Sequence, residues 1–142
     1  MKKVEASMKH IVLAAIFCTL SLSAAQADQC MDKAVDQASM NRCAAQAYEK
    51  SDADLNRYFH EIRQRLADDV DARHLLRDSQ RAWITFRDAE CAFAASAATG
   101  GSVYPMAHDL CLADLTQKRA HELRQYLECE EGDMTCPVPF SG

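Results

Sequence analysis

The sequence is poor in the residues that interrupt regular structure, with only four glycines and three prolines among 142 residues. This scarcity excludes a collagen-like chain and disfavours one built mainly from loops. A basic excess is also missing, since 16 basic residues stand against 21 acidic ones, and this excludes a strongly cationic nucleic-acid-binding protein. Hydrophobic residues make up 49% of the chain, which is too many for a wholly disordered protein. The length suits one domain.

The patterns that mark many catalytic and metal sites are absent as well. The sequence has no Gly-x-Ser-x-Gly elbow, no Cys-x-x-Cys pair and no His-x-x-x-His pair. Neighbouring carboxylates such as Asp88 and Glu90 point to different sides of a helix, whereas a glycosidase holds two of them across a cleft. We therefore predict that the protein is not an enzyme and that it holds neither a cofactor nor a metal ion.

The N-terminus has the pattern of a secretory signal peptide. Three lysines precede an apolar run over residues 11–22, which is shorter than the roughly 20 residues that a membrane-spanning helix needs. An Ala-Gln-Ala cleavage pattern follows at residues 25–27. We predict a signal peptide over residues 1–27, with translation starting at Met1 or Met8. The product is then periplasmic or secreted, without stable membrane insertion.

Removal of this signal peptide changes the charge and the number of cysteines. Three lysines and one glutamate leave with it, so the 16 basic and 21 acidic residues become 13 and 20, a formal net charge of −7. Such a domain repels nucleic acid and attracts cationic partners. One of the seven cysteines is lost too, and an even number in a small exported chain predicts disulfides. The remaining cysteines are Cys30, Cys43, Cys91, Cys111, Cys129 and Cys136.

Apolar residues recur at spacings of three and four along the mature chain, which predicts amphipathic helices. Three helices are predicted, over residues 40–67, 72–98 and 105–129. Their short connections favour an all-α fold, a three-helix antiparallel bundle of up-down-up topology. The chain from residue 130 onward is predicted to be irregular. The domain boundaries predicted from this pattern are 28–137 for the helical domain and 138–142 for a short tail.

The second predicted helix carries the most distinctive stretch of the sequence. Its predicted apolar face holds Leu75, Leu76, Ala82, Trp83, Phe86, Ala89 and Phe93. Large aromatics bury the most area, so Trp83 and Phe86 are predicted to anchor the core. Gln80 and Arg87 flank them at helical spacing and are predicted to make buried or half-buried hydrogen bonds, with a surface role for Arg87 as the alternative. Ser79 is predicted to be a packed small residue.

The predicted topology limits how the six cysteines pair. Cys129 lies at the far end of the bundle, so we expect it to pair with Cys136. Of the other four, Cys91 and Cys111 lie in neighbouring helices at heights that differ by only about 3 Å, which suits a bridge. We therefore favour Cys91–Cys111 together with Cys30–Cys43, and the other pairings among these four residues stay open.

Two segments are candidate surfaces for a protein partner. One is the loop over residues 99–104, which ends in Tyr104, a residue type enriched at binding hot spots. The other is the acidic stretch of Glu130, Glu131 and Asp133, which a disulfide would hold in one shape and which suits a basic partner. The competing interpretations are an ordinary helix connection and a solvated acidic cap.

The pattern Gln-x-x-Trp-x-x-Phe-Arg-Asp-x-x-Cys over residues 80–91 is the most specific motif of the chain. With it, the sequence resembles the LprI-like lysozyme-inhibitor domain of small exported bacterial proteins, over nearly the whole mature chain. The residues that carry the resemblance, besides the cysteines, are Leu55, Asn56, Gln80, Trp83, Phe86, Arg87, Asp88, Thr116 and Arg119.

The resemblance implies a helical, disulfide-bonded exported domain that inhibits lysozyme. A basic lysozyme is then the expected partner, bound so that its cleft is occluded. The alternative function is a periplasmic protein-binding or adaptor module of the cell envelope without lysozyme activity. A wall-active enzyme is the least favoured alternative. The oligomeric state is left open.

Overall fold

The structure, a computed structural model, describes residues 24–140, and these residues fold into helices joined by short connections. The elements are α1 (Ala24–Lys33), α2 (Gln37–Arg65), α3 (Val70–Ala94) and α4 (Tyr104–Leu127), with a 3₁₀ turn at Ser96–Ala98. The predicted all-α fold class is confirmed. The predicted signal peptide lies outside the described residues except for 24–27, which begin α1.

Local sequence explains where the long helices begin. The side chain of Asp36 accepts a hydrogen bond of 2.7 Å from the backbone N–H of Ser39, which caps α2. Asp69 caps α3 in the same way, with 2.8 Å to the N–H of Ala72. Pro105 lies in the first turn of α4, where its missing N–H removes no helical hydrogen bond. The three long helices therefore lie within a few residues of their predicted positions.

The short helix α1 is the element that the sequence analysis did not predict. It has ten residues and packs against α2, to which the Cys30–Cys43 disulfide joins it. An isolated helix of this length is not stable in water, because too few hydrogen bonds offset its nucleation. Its stability therefore depends on the contact with α2, and ten residues carry too little periodicity to reveal that contact.

The largest packing interface lies between α2 and α4. Its central buried cluster consists of Leu55, Ile62, Leu66, Ala120, Leu123 and Val138, with Trp83 of α3 packed against it. Burial of each large aliphatic side chain in such a cluster contributes about 1.5–3 kcal/mol. Helix α3 contacts α4 less extensively. The core is therefore built mainly by α2 and α4, and α3 packs against one side of this core.

Hydrogen bonds between the long helices show the order in which residues of one helix meet residues of the next. Asn41, near the start of α2, donates to the carbonyl of Ser102 just before α4, at 3.1 Å. Arg65, at the end of α2, donates to the carbonyl of Leu127 at the end of α4, at 3.0 Å. Contacts between α3 and α4 follow the opposite order, because late residues of α3 meet early residues of α4.

Three disulfides join residues close together in the sequence. They are Cys30–Cys43, Cys91–Cys111 and Cys129–Cys136, with Cα–Cα distances of 5.6, 5.5 and 6.1 Å. These are the pairings that the sequence analysis favoured. Cys91 is completely buried. Its bridge to Cys111 ties the late part of α3 to the early part of α4.

The predicted apolar face of α3 is wrong in part. Leu75, Phe86 and Phe93 are 72%, 54% and 75% exposed, so Phe86 does not anchor the core. The face that α3 turns inward instead includes Gln80 and Arg87, which are buried because they bond to groups inside the helical assembly. Trp83 is half-buried against the core, as expected of an anchor. Ser79, predicted to be packed, is exposed.

The chain after α4 is irregular, as predicted, but it is attached to the core. Val138 is only 3% exposed and belongs to the central buried cluster, and Cys136 packs against the same cluster. The packed part of the protein therefore extends past residue 137, the predicted end of the domain. None of the helices within residues 24–140 is long and apolar enough to cross a membrane.

Candidate functional site

Arg87 lies in a polar cluster formed by the three long helices. It is 7% exposed, and its guanidinium carbon lies 5.2 Å from the ring centre of Trp83 and 5.5 Å from that of Tyr48. Its Nη1 donates to the hydroxyl of Thr116 at 3.4 Å, and its Nη2 lies 2.8 Å from a carboxylate oxygen of Asp88. Two aromatic faces and one counter-ion thus stabilise a buried cation.

Arg119 forms a second bridge from α4 to α3. Its Nε donates to the amide oxygen of Gln80 at 3.2 Å, and its Nη2 donates to the hydroxyl of Ser79 at 3.1 Å. Its Nη1 lies 2.9 Å from a carboxylate oxygen of Glu122. Gln80 is 6% exposed, and its Nε2 has no hydrogen-bond partner among the residues that the structure describes. A buried N–H without a partner is costly, so this atom is of interest as a donor to a ligand.

Most of the polar residues that carry the family resemblance therefore join α3 to α4. Gln80, Arg87, Thr116 and Arg119 meet between α3 and α4, and Leu55 belongs to the core. This geometry favours the predicted role of Gln80 and Arg87 as hydrogen-bonding residues of the interior over a surface role for Arg87.

The other motif residues lie at the surface. Asn56 is exposed and donates to Asp52, one turn earlier in α2, at 2.8 Å. Phe86 and Asp88 are exposed on α3. Surface positions need no particular side chain for packing, so these residues are the part of the motif that a partner can reach.

Tyr104 begins α4 and is held against its own helix. Its ring stacks on that of His108, with ring centres 5.6 Å apart and planes 18° from parallel. Tyr104 is half-buried. The preceding loop turns at Gly100, where φ is +80°, a conformation that glycine adopts without strain. A partner would therefore contact a ring of which His108 covers one face.

Glu130, Glu131 and Asp133 are exposed in a turn closed by the Cys129–Cys136 disulfide. Hydrogen bonds from the side chain and then the backbone of Thr135 lower the pKa of Asp133, which stays ionised at neutral pH. Met134 is 96% exposed in the same turn, a feature that the sequence analysis missed. We name residues 130–134 the acidic turn. It combines fixed negative charge with one apolar side chain.

The two predicted partner surfaces do not come together. Tyr104 begins α4 and the acidic turn follows its end, and a helix of 24 residues is about 36 Å long. One compact binding site cannot include both. Within residues 24–140, no three histidine, cysteine or acidic side chains are grouped as metal ligands would be.

Comparisons with known proteins place this chain among relatives. The family described as "Lysozyme inhibitor LprI" matches residues 30–123. An uncharacterized protein of Rhizobium meliloti (strain 1021) is 38% identical, over an alignment covering 80% of this chain and 90% of that protein. No solved structure matches the chain. The family match includes both arginine bridges between α3 and α4.

Proposed function

The chain belongs to the LprI lysozyme inhibitor family, and from this we propose that it inhibits lysozyme by binding the enzyme and occluding its cleft. The observation that carries the proposal is the family match over residues 30–123. The protein acts by binding and is not itself an enzyme. It works outside the cytoplasm, in the periplasm or after secretion, and its three disulfides suit an oxidising compartment.

Charge supports a basic lysozyme as the target. After removal of the predicted signal peptide the chain carries 13 basic and 20 acidic residues. Lysozymes that attack bacterial walls are typically basic, so the opposite charges accelerate association. Steering of this kind depends on ionic strength, because salt screens charges more than about 10 Å apart at 0.1 M. Added salt should therefore slow association more than it speeds dissociation.

Rigidity also supports an inhibitor. We infer the up-down-up topology from the order of the contacts that α4 makes with α2 and α3. Two arginine bridges and one disulfide fix α3 on α4, and another disulfide fixes the acidic turn. A binding surface that is ordered before the encounter loses less conformational entropy on binding. The whole domain thus behaves as a preformed ligand for a cleft.

We assign the contact with lysozyme to the acidic turn and not to Tyr104. A typical interface covers about 800 Å² on each partner, roughly 30 Å across, which is less than the length of α4 between these two surfaces. The negative charge of the acidic turn complements the positive charge of a basic lysozyme. Met134 supplies an exposed apolar side chain among the carboxylates of the turn. Tyr104, held on its helix by His108, has less surface to offer.

A lysis assay on the purified, oxidised protein tests this function. Lysozyme clears a suspension of bacterial cell walls, and the protein should slow clearing in proportion to its concentration. Lysozyme that clears the suspension at the same rate with a large excess of the protein would contradict the proposal. Clearing by the protein alone would instead identify a wall-active enzyme.

Variants in which neutral side chains replace the carboxylates of the acidic turn test whether this turn contacts lysozyme. Glu130→Gln, Glu131→Gln and Asp133→Asn together should weaken inhibition about tenfold, because they remove local charge complementarity. The matched control changes three exposed carboxylates elsewhere, Glu49→Gln, Glu90→Gln and Asp114→Asn. It has the same net charge and should change inhibition less than threefold. Equal loss in both variants would show that only net charge matters, and loss in Tyr104→Ala alone would move the contact to the other end.

One observation favours the second candidate function, an adaptor module of the envelope. Leu75, Phe86 and Phe93 are exposed on α3, and exposed apolar side chains on one helix are typical of surfaces that bind other proteins. An adaptor would leave the rate of lysis unchanged. The lysis assay therefore separates the two candidates.

A further inference from the structure

A groove between α2 and α3 gathers arginines in a protein that is acidic overall. Two adjoining cavities of about 300 and 270 Å³ form it, and Phe59 and Arg77 line both. The basic residues along the groove are Arg63, Arg73, His74, Arg77, Arg81 and Arg87. Asp52 is the one carboxylate among its described lining residues. The groove is therefore a local positive site.

Three of these arginines form no direct ion pair within the described residues, although Asp78, which pairs with Arg77, also attracts the charge of Arg81. Arg77 and Arg87 pair with the aspartates that follow them in the sequence. Within the part of the chain that the structure describes, no ion pair includes Arg63, Arg73 or Arg81. The charges of Arg63 and Arg73 are available to a ligand, and Arg81 shares the nearby carboxylate of Asp78 with Arg77.

The arginines of α3 also form a regular row. Arg73, Arg77 and Arg81 are four residues apart, so they rise along the helix in steps of about 6 Å. Like charges at this spacing destabilise a helix slightly. An anionic ligand along the row would remove that repulsion. Its anionic groups would have to recur at a similar spacing.

The apolar residues that line the groove and one buried N–H group indicate which class of ligand it can bind. Leu55 and Phe59 of α2 and Ile84 of α3 line the groove, so it offers apolar contacts that a bare phosphate chain cannot use. Gln80 also lines it, and its buried Nε2 finds no hydrogen-bond acceptor within residues 24–140. In an extended peptide, side chains two residues apart lie on one face about 6.7 Å apart, and those between them lie on the other.

We propose that the α2–α3 groove binds an extended acidic peptide segment of a partner protein. Carboxylates at alternate positions pair with Arg73 and lie beside Arg77 and Arg81, whose charge they share with Asp78. The intervening apolar side chains lie toward Leu55 and Phe59. The Nε2 of Gln80 donates to a backbone carbonyl of the peptide. This binding site is separate from the acidic turn and of opposite charge.

Fluorescence anisotropy with a labelled peptide of alternating glutamate and leucine tests the proposal on the oxidised protein. The double variant Arg73→Gln, Arg81→Gln should raise the dissociation constant at least about tenfold, because it removes two charge-assisted contacts. The matched control is Arg57→Gln, Arg124→Gln, which removes two arginines that do not line the groove and lie in surface ion pairs. It should change binding less than twofold, and circular dichroism should find both variants equally helical.

Three further readouts complete the test. A glutamine–leucine peptide should not bind, added salt should weaken binding of the acidic one, and the side-chain amide resonance of Gln80 should shift on binding. No binding of the acidic peptide, equal loss in both double variants, or a glutamine peptide that binds as well would overturn the proposal. Tripolyphosphate that binds in place of the peptide would identify a phosphate site and overturn it too.

Discussion

Two buried polar side chains, Arg87 and Gln80, determine how α3 faces the rest of the protein. Each lies inward where an apolar residue would ordinarily be expected, and each has a partner on α4. Removing one partner of a buried polar pair leaves the other unsatisfied, which costs more than the pair contributes. These residues therefore specify the rotation of α3 about its axis as well as its stability.

Replacing Arg87 should test this role directly. Arg87→Ala leaves a cavity and removes the cation between Trp83 and Tyr48, so we expect a loss of about 2–4 kcal/mol in the free energy of unfolding. Arg87→Lys should recover only part of it, because an ammonium group lacks the planar face that stacks on rings. Urea denaturation followed by circular dichroism measures both. The control Asp88→Asn, at an exposed partner, should cost less than about 1 kcal/mol.

The cap of α2 gives a prediction about pH. Hydrogen bonds from the side chain and the backbone of Ser39 lower the pKa of Asp36 below its ordinary value of 3.8. The stabilisation by this carboxylate is therefore complete above that value and is lost as the pH falls through the lower pKa of the folded state. Asp36→Ala should lower the melting temperature at pH 7, and the gap to the unmodified protein should shrink at pH 2. A gap that stays constant would contradict the cap.

At the scale of elements, α3 differs from α2 and α4 in having one side against the protein and a second, apolar side toward solvent. Its inward residues include Gln80, Arg87 and Cys91, and its outward residues include Phe86 and Phe93. Hydrophobic periodicity alone would rotate the helix to bury the phenylalanines. The disulfide and the arginine contacts prevent this rotation.

Two single substitutions in α3 should distinguish an aromatic residue packed against the core from one exposed at the surface. Trp83→Ala removes a ring packed against the core and should cost about 3 kcal/mol of stability, whereas Phe86→Ala should cost less than about 1 kcal/mol because the ring is mostly exposed. Chemical denaturation of the two variants provides the comparison. Similar losses in both would mean that Phe86 packs in the interior after all.

At the scale of the molecule, cross-links replace part of the core that a small domain lacks. The central cluster holds six buried residues from α2 and its C-cap, from α4 and from the C-terminal segment, whereas α3 contributes only partly buried side chains, those of Ala72, Leu76 and Trp83. A small core contributes limited stability, and covalent bridges compensate by reducing the freedom of the unfolded chain. The three disulfides are therefore expected to matter most where apolar packing is thinnest.

The loss of stability on removal of a single disulfide should be larger for the bridge between α3 and α4 than for the bridge that closes the acidic turn. Cys91→Ser with Cys111→Ser opens a link across 20 residues and should cost about 3 kcal/mol, whereas Cys129→Ser with Cys136→Ser opens one across 7 residues and should cost about 2 kcal/mol. Denaturation under non-reducing conditions measures both losses. A larger loss from the shorter link would contradict the entropic estimate.

The sequence predicted the three long helices and the irregular end, because helical periodicity is a local signal. It favoured the observed disulfide pairing but left the other pairings among Cys30, Cys43, Cys91 and Cys111 open. It did not predict the exposure of Leu75, Phe86 and Phe93, since that depends on partners of Gln80 and Arg87 on another helix. The attachment of Val138 and the exposure of Met134 were missed for the same reason. Inter-helical hydrogen bonds and docking of a loop leave no periodic trace in one chain.

The bridges are consecutive along the chain: first with second, third with fourth, and fifth with sixth among the described cysteines. A polypeptide that emerges from a translocation pore with its N-terminus leading exposes its thiols in that same order. Each native pair can then be oxidised before the next cysteine emerges, and no bridge has to be reshuffled. The connectivity therefore suits maturation by a thiol oxidase alone, without a disulfide isomerase.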